Sequence, residues 1–144
     1  MRVDHTPTRL RHICRVLAAL VVVVFGVVTV LLPRGEDRVE AFGPLDQAAF
    51  FAIGLLIAGG VLVLTRFRVR ADARGVWVRN SLGERYFPWA VVVGVHLPPG
   101  STWAQLELHD DETVAILAVQ TSDGDRAVDA VLALRGLLKD AQGA

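Results

Sequence analysis

Arg66, Arg68 and Arg70 alternate with the apolar residues Phe67, Val69 and Ala71. A period of two places three guanidiniums on one face of a strand and the apolar set on the other. Such a row can hold anionic groups, and beside a bilayer each Arg gains on the order of 1 kcal/mol from anionic lipid. The same row also serves as the positive flank of a membrane helix. Further along, Trp77 stands between Val76 and Val78 and two residues before Arg79. With the valines turned inward, Trp77 faces outward near Arg79, and exposed Trp and Arg are enriched where proteins bind partners. Arg66, Arg68, Arg70, Trp77 and Arg79 are therefore the candidate partner- or lipid-binding residues.

Other chemistries lack their residue patterns. His5, His12, His96 and His109 have no Cys, Asp or Glu at ligand spacing, which argues against a zinc site. Asp110-Asp111-Glu112 lacks the spaced ligands and the glycine of a calcium loop and reads as a solvated turn. There is no Gly-Lys-Ser/Thr phosphate loop and no Gly-x-Ser-x-Gly elbow. Cys14 is the only cysteine, so no intrachain disulfide can form. The expectation is a non-catalytic protein without metal or cofactor. Residues 66–144 hold nine basic and ten acidic residues, a balance that disfavours general anion binding, and no nucleic-acid partner is expected.

The elements around these residues are of two kinds. Val16–Leu32 and Ala48–Thr65 carry no charged residue. At about 1.5 Å per residue each gives a helix of roughly 25–27 Å, enough to cross most of a bilayer's hydrocarbon core. Neither contains an ionisable group of the kind that marks a transport path, so the pair reads as an anchor. Gly54 and Ala58 form a small-xxx-small pair suited to close packing against the first helix. Arg2, Arg9, Arg11 and Arg15 precede the first run, and Arg66, Arg68 and Arg70 follow the second. The positive-inside rule then puts both termini in the cytoplasm and the loop Pro33–Gln47 outside. A cleaved signal peptide is the competing reading. Its site at Val39-Glu40-Ala41 would lie far beyond the apolar run, and a second spanning run follows. Of the 15 basic residues all but Lys139 are Arg, a bias expected of a GC-rich bacterial genome.

The expected organisation is a basic cytoplasmic tail over residues 1–15, a two-helix transmembrane hairpin over 16–65 and a cytoplasmic domain over 66–144. In the last segment the period changes to short alternating runs: 66–71, 76–79, 85–87, 91–97, 103–108 and 114–119. Ser122 is placed to cap a closing helix whose stripe comprises Ala127, Val128, Val131, Leu134 and Leu138, widened by Leu132 and Leu137. A bent antiparallel sheet plugged by one C-terminal amphipathic helix is the pleckstrin-homology (PH) arrangement.

Three motifs carry a resemblance. Ala71-Asp72-Ala73-Arg74-Gly75-Val76-Trp77-Val78-Arg79 is similar to the Ala-Asp-x-Arg-Gly-Val-x-Val-Arg signature of the small PH-like membrane proteins of actinobacteria, the bacterial PH domain family that includes the low-molecular-weight protein antigen 6 group. Phe87-Pro88-Trp89-Ala90-Val91-Val92 resembles the family's Val-x-Trp-x-x-Ile. Gly100-Ser101-Thr102-Trp103-Ala104 resembles its Gly-Ser-Trp-Ala with one residue added. The acidic residues that usually follow the Trp are replaced by Ala90 and Val91, and the last hairpin's Asp-Gly turn by Asp111-Glu112. The resemblance covers about residues 62–120. It implies one or two membrane helices followed by a small mainly-β PH-like domain with a C-terminal amphipathic helix. The expected function is a non-catalytic module at the cytoplasmic face of the bacterial inner membrane. It would touch lipid through its two helices and bind an unidentified protein partner or a second copy of itself. Recognition of anionic lipid head groups, as in eukaryotic PH domains, is the alternative. It needs a basic loop between the first two strands, where this sequence offers only Arg74 beside Asp72.

Overall fold

The computed structural model describes residues 2–31 and 43–143, which form two compact units: Leu10–Thr65, and Met1–Arg9 together with Arg66–Ala144. The first unit holds helices α1 (Thr8–Leu31) and α2 (Pro44–Val63). Pro44 opens α2 at the position where its missing N–H costs nothing, and the Asp46 carboxylate accepts the Gly43 N–H at 2.9 Å. The helices run antiparallel. Phe25 stacks on Phe50 with centroids 4.8 Å apart, and Gly26 faces Phe51. Gly54 lies so close to Phe25 that a β-carbon there would come within 2.5 Å of the ring. Ala18 and Ala58 are buried as well. The small-residue pair Gly54–Ala58 is thus used inside the hairpin. Both helices are long and apolar enough to cross a membrane. The apolar run understates α1, which starts at Thr8 and carries Arg9, Arg11 and Arg15 in its opening turns. Of the expected loop Pro33–Gln47, residues 33–42 lie outside the described residues, and Pro44–Gln47 already belong to α2.

The second unit contains seven strands. The expected basic tail over 1–15 does not exist as such: Val3–His5 form strand β1, and Thr8 starts α1. Strand β1 pairs antiparallel with β2 (Arg68–Ala71), which continues through β3 (Gly75–Asn80) to β4 (Gly83–Pro88). The second sheet runs β5 (Val92–His96), β6 (Trp103–Leu108) and β7 (Thr113–Gln120). Helix α3 (Asp125–Gln142) closes the stack. Val69, Val76, Val78, Val92, Val95, Leu106, Ile116, Val119 and Leu134 are at most 1% exposed and form the core. The α3 stripe is shifted from the one expected. Ala127, Ala130, Val131, Leu134, Leu137 and Leu138 are buried, whereas Val128 and Leu132 face outward. Thr121–Asp123 wind into a 3-10 turn, so Gly124 at φ 58°, and not Ser122, precedes the helix.

Both edges of the three-stranded sheet are covered by side chains, as isolated edges invite association. Arg135 Nε donates to the Val95 carbonyl at 2.7 Å and Gln142 Nε2 to that of Val92 at 3.0 Å, covering β5 from α3. Asn80 covers β7 by giving to the Ala115 carbonyl (2.8 Å) and accepting from the Leu117 N–H (3.3 Å).

Strand β1 is fastened at its C-terminal end by Asp123, whose side chain is buried. Its Oδ1 accepts the Arg9 N–H at 3.4 Å, while Oδ2 lies 3.8 Å from His5 Nε2. Arg9 also donates to the Ser122 carbonyl at 3.1 Å, and Arg126 to the Thr8 hydroxyl at 3.0 Å. Burial holds the His5 imidazole below its ordinary pKa of 6.5, with the Asp123 carboxylate opposing that effect. A detached β1 therefore takes up a proton more readily than a docked one. The contribution is complete above about pH 6.5 and is lost as pH falls through the lower docked value. Lowering the pH from 7.5 to 5 is expected to reduce hydrogen-exchange protection of Val3–His5, after correction for intrinsic rates, in the native chain. The reduction should be smaller in His5→Gln.

Candidate functional site

Four of the five candidate residues share the outer face of the four-stranded sheet, because strand register sorts side chains by parity. Asp4, Arg70, Trp77 and Tyr86 stand in one cross-strand row. Arg68, Arg79 and Glu84 form the next. Their even-and-odd neighbours Val69, Ala71, Val76, Val78 and Phe87 fill the core beneath. Arg66 is not part of this face. It ends the 3-10 turn Leu64–Arg66 that closes α2, with Thr65 Oγ1 donating to the Leu62 carbonyl at 2.6 Å. The strand begins only at Arg68, and the Arg66 cation sits where a helix C-terminus favours positive charge.

The two Arg on β2 do different work. Arg68 grips Asp4 across the β1–β2 seam through two hydrogen bonds, Nε to Oδ1 at 2.7 Å and Nη2 to Oδ2. The Arg68 hydrogen bond holds the Asp4 carboxyl below its ordinary value and raises the guanidinium in return. This pair is exposed, so it serves register more than stability. Arg70 has its Nε shielded from solvent, and no acceptor among the described residues reaches it. Trp77 is half-buried against Tyr86, ring centroids 4.6 Å apart and tilted by 38°. Arg2, Arg70, Ala71, Asp72, Trp77 and Glu84 line a cleft of about 250 Å³ on this face.

Sequence reasoning missed Arg2, Asp4, Asp72, Glu84 and Tyr86. The available signal was register: once 76–79 and 83–88 are read as one hairpin, Tyr86 must stand beside Trp77. Asp4 and Arg2 could be found only by adding β1.

The Ala71–Gly75 part of the Ala71–Arg79 signature is a structural device beside the cleft. Asp72 Oδ1 accepts the Arg74 N–H at 2.8 Å in an Asx turn, and the Asp72 N–H donates to the Gly75 carbonyl at 3.0 Å. Buried Trp89 donates its indole N–H to the Asp72 carbonyl at 2.7 Å, and Tyr86 its hydroxyl to that of Arg74 at 3.2 Å. A β-carbon at Gly75 would lie 2.5 Å from the Phe87 carbonyl oxygen, so only glycine fits. The two motifs, Ala71–Gly75 and Phe87–Val92, are thus halves of one interlock.

The "Bacterial PH domain" family matches residues 66–137. The chain belongs to the bacterial PH domain family. Two relatives, uncharacterized protein Rv1417 of Mycobacterium tuberculosis and uncharacterized protein Mb1452 of Mycobacterium bovis, are each 42% identical over 121 residues. That spans 84% of this chain and 79% of each relative. An alignment of that length exceeds 66–144, so the likeness to these proteins reaches into the helical hairpin as well. No solved structure matches the chain. Within the PH-like domain, the segment expected to hold the first two strands holds the second and third. The first strand precedes the hairpin, and residues 6–67 are the β1–β2 connection. In chain order, the β1–β2 connection therefore comprises α1 and α2.

The interlock predicts two costs. Trp89→Phe leaves the Asp72 carbonyl without its buried donor and is expected to destabilise the domain by about 1–3 kcal/mol. Gly75→Ala drives a methyl into backbone that cannot yield and should cost a similar ~1–3 kcal/mol. Urea unfolding of the detergent-solubilised variants, followed by tryptophan fluorescence, measures both.

Proposed function

We propose that this protein is a non-catalytic, membrane-anchored PH-like module that gathers a protein partner, or a second copy of itself, at the cytoplasmic face of the bacterial inner membrane. One observation carries the reading. β1 and β2 pair with each other although the two apolar helices lie between them. A domain assembled from both flanks of a helical hairpin needs both flanks on one side of the bilayer, with an even number of crossings. The Arg on both flanks support the cytoplasm as that side. Helices α1 and α2 contact lipid, and the outer sheet face with Arg68, Arg70, Trp77 and Arg79 is the surface offered for binding. The occupied β1–β2 connection weighs against the alternative, head-group recognition in the manner of eukaryotic PH domains.

Topology and partnership are tested separately. Reporter fusions at residue 38 and at the C-terminus should report outside and inside, respectively; an external C-terminus would sink the assignment. Photocrosslinking from position 84, in the same cross-strand row, in living cells should trap one discrete adduct, which Trp77→Ala and Arg79→Ala in combination abolish. A smear unaltered by those substitutions would count against a specific partner.

A further inference from the structure

Helix α3 keeps an outward face that the domain leaves uncovered. Its inner stripe from Ala127 to Leu138 is buried, yet Val128 and Leu132 stand 48% and 57% exposed, one turn apart. Gly136 continues that face, and a β-carbon added there would meet nothing within 4 Å. Charge frames it. Asp125, Leu132 and Lys139 are spaced by seven, close to two turns, so they form one line along the helix surface. All three are exposed, and neither Asp125 nor Lys139 has an ion-pair partner among the described residues. From the N-terminal end the line reads acidic, apolar, basic. The other two cations of α3 are turned to the domain, Arg126 donating to the Thr8 hydroxyl and Arg135 to the Val95 carbonyl. Asp129 and Asp140 lie off the line, about 60° and 80° round the helix from Leu132.

We propose that this face docks on the same face of a second copy of the chain, α3 against α3 and antiparallel, about a two-fold axis at Leu132. Symmetry decides the register, because a two-fold contact must be complementary to itself. Asp125 lies seven residues before Leu132 and Lys139 seven after it, so an antiparallel copy brings each Asp125 to the partner's Lys139. Leu132 meets its own counterpart on the axis. Val128 lies level with the partner's Gly136, which adds no side chain to hold the helices apart. A parallel pairing would set Asp125 on Asp125 and Lys139 on Lys139. Charge thus fixes the orientation, while Leu132 and Val128 supply the contact. Exposed ion pairs add little energy, and a seam of one helix suits a weak association between chains confined to one membrane. The seam rests on the self-association reading above and gives it a surface distinct from the outer sheet face.

The test uses the full chain in proteoliposomes with Cys14→Ala, so that an introduced cysteine is the only one. On mild oxidation Leu132→Cys should form a disulfide-linked dimer faster than Asp110→Cys on the exposed β6–β7 turn. Asp125→Lys and Lys139→Asp, each added to Leu132→Cys, set like charges together at both ends of the seam. Each should slow the crosslink about fivefold or more. Mixing the two variants in the same vesicles should restore it, since each then meets its opposite, and the recovery shows that both are folded. Leu132→Cys that crosslinks no faster than Asp110→Cys overturns the proposal. So do charge reversals without effect, or a mixture that stays slow although both variants keep the native thermal transition. A polarity-sensitive dye on Leu132→Cys that reports an apolar setting at every protein density, without a crosslink, assigns the face to lipid and overturns it too. A discrete adduct from the outer sheet face in cells, with no crosslink at Leu132→Cys, removes the seam and leaves the scaffolding reading standing.

Discussion

The pairing of Val3–His5 with Val69–Ala71 is the contact on which the rest of the molecule depends. It supplies the fourth strand of the first sheet and puts Arg2 and Asp4 on the outer face. It also joins the two ends of the helical hairpin. Sixty-three residues lie between His5 and its partner Val69. A flexible loop of that length would cost roughly 4 kcal/mol in the length-dependent part of closure alone. The antiparallel packing of α1 on α2 offsets much of that, because Gly54 against Phe25 and Ala18 near Ala58 already bring the chain back on itself. The strand is short, and three residues of ladder are a weak hold. Asp123, Arg9 and the Arg68–Asp4 bridge reinforce it from both sides.

This arrangement also reassigns the candidate residues. An alternating Arg row looks like a single cationic stripe, yet its members end in three situations. Arg66 closes a helix, Arg68 locks a seam, and Arg70 is left with an unmatched donor. Identical side chains at a spacing of two become unlike once a neighbouring strand's carboxylate hydrogen-bonds only one of them.

Much of the fold was legible in the sequence because its signals are local. Long uncharged runs, the Arg-Phe-Arg-Val-Arg alternation and the apolar stripe of α3 each lie within one window. Six strands and the closing helix follow from them, and Trp77 facing away from Val76 and Val78 follows from parity alone. β1 was not legible, since Val3-Asp4-His5 is too short to show a period and its partner is sixty residues away. Ser122 was a sound cap by residue type, but Asp123 was needed as a buried acceptor, and the 3-10 turn that buries it moved the helix start to Gly124. The cleft was half legible: Arg70 and Trp77 lie on consecutive strands, whereas Arg2 depends on the strand that could not be seen.

The split of the domain around its own hairpin bears on synthesis. β1 leaves the ribosome first, yet its partner β2 follows only after both apolar helices have been made. On the proposed topology, a chain that inserts one helix and fails to insert the other leaves β1 and β2 on opposite faces of the bilayer. The sheet then stops at three strands with β2 as a bare edge, and Arg68 loses its Asp4 partner. On that topology, completing the β1–β2 ladder would require both helices to be threaded, so the four-stranded sheet would form only in a fully inserted chain.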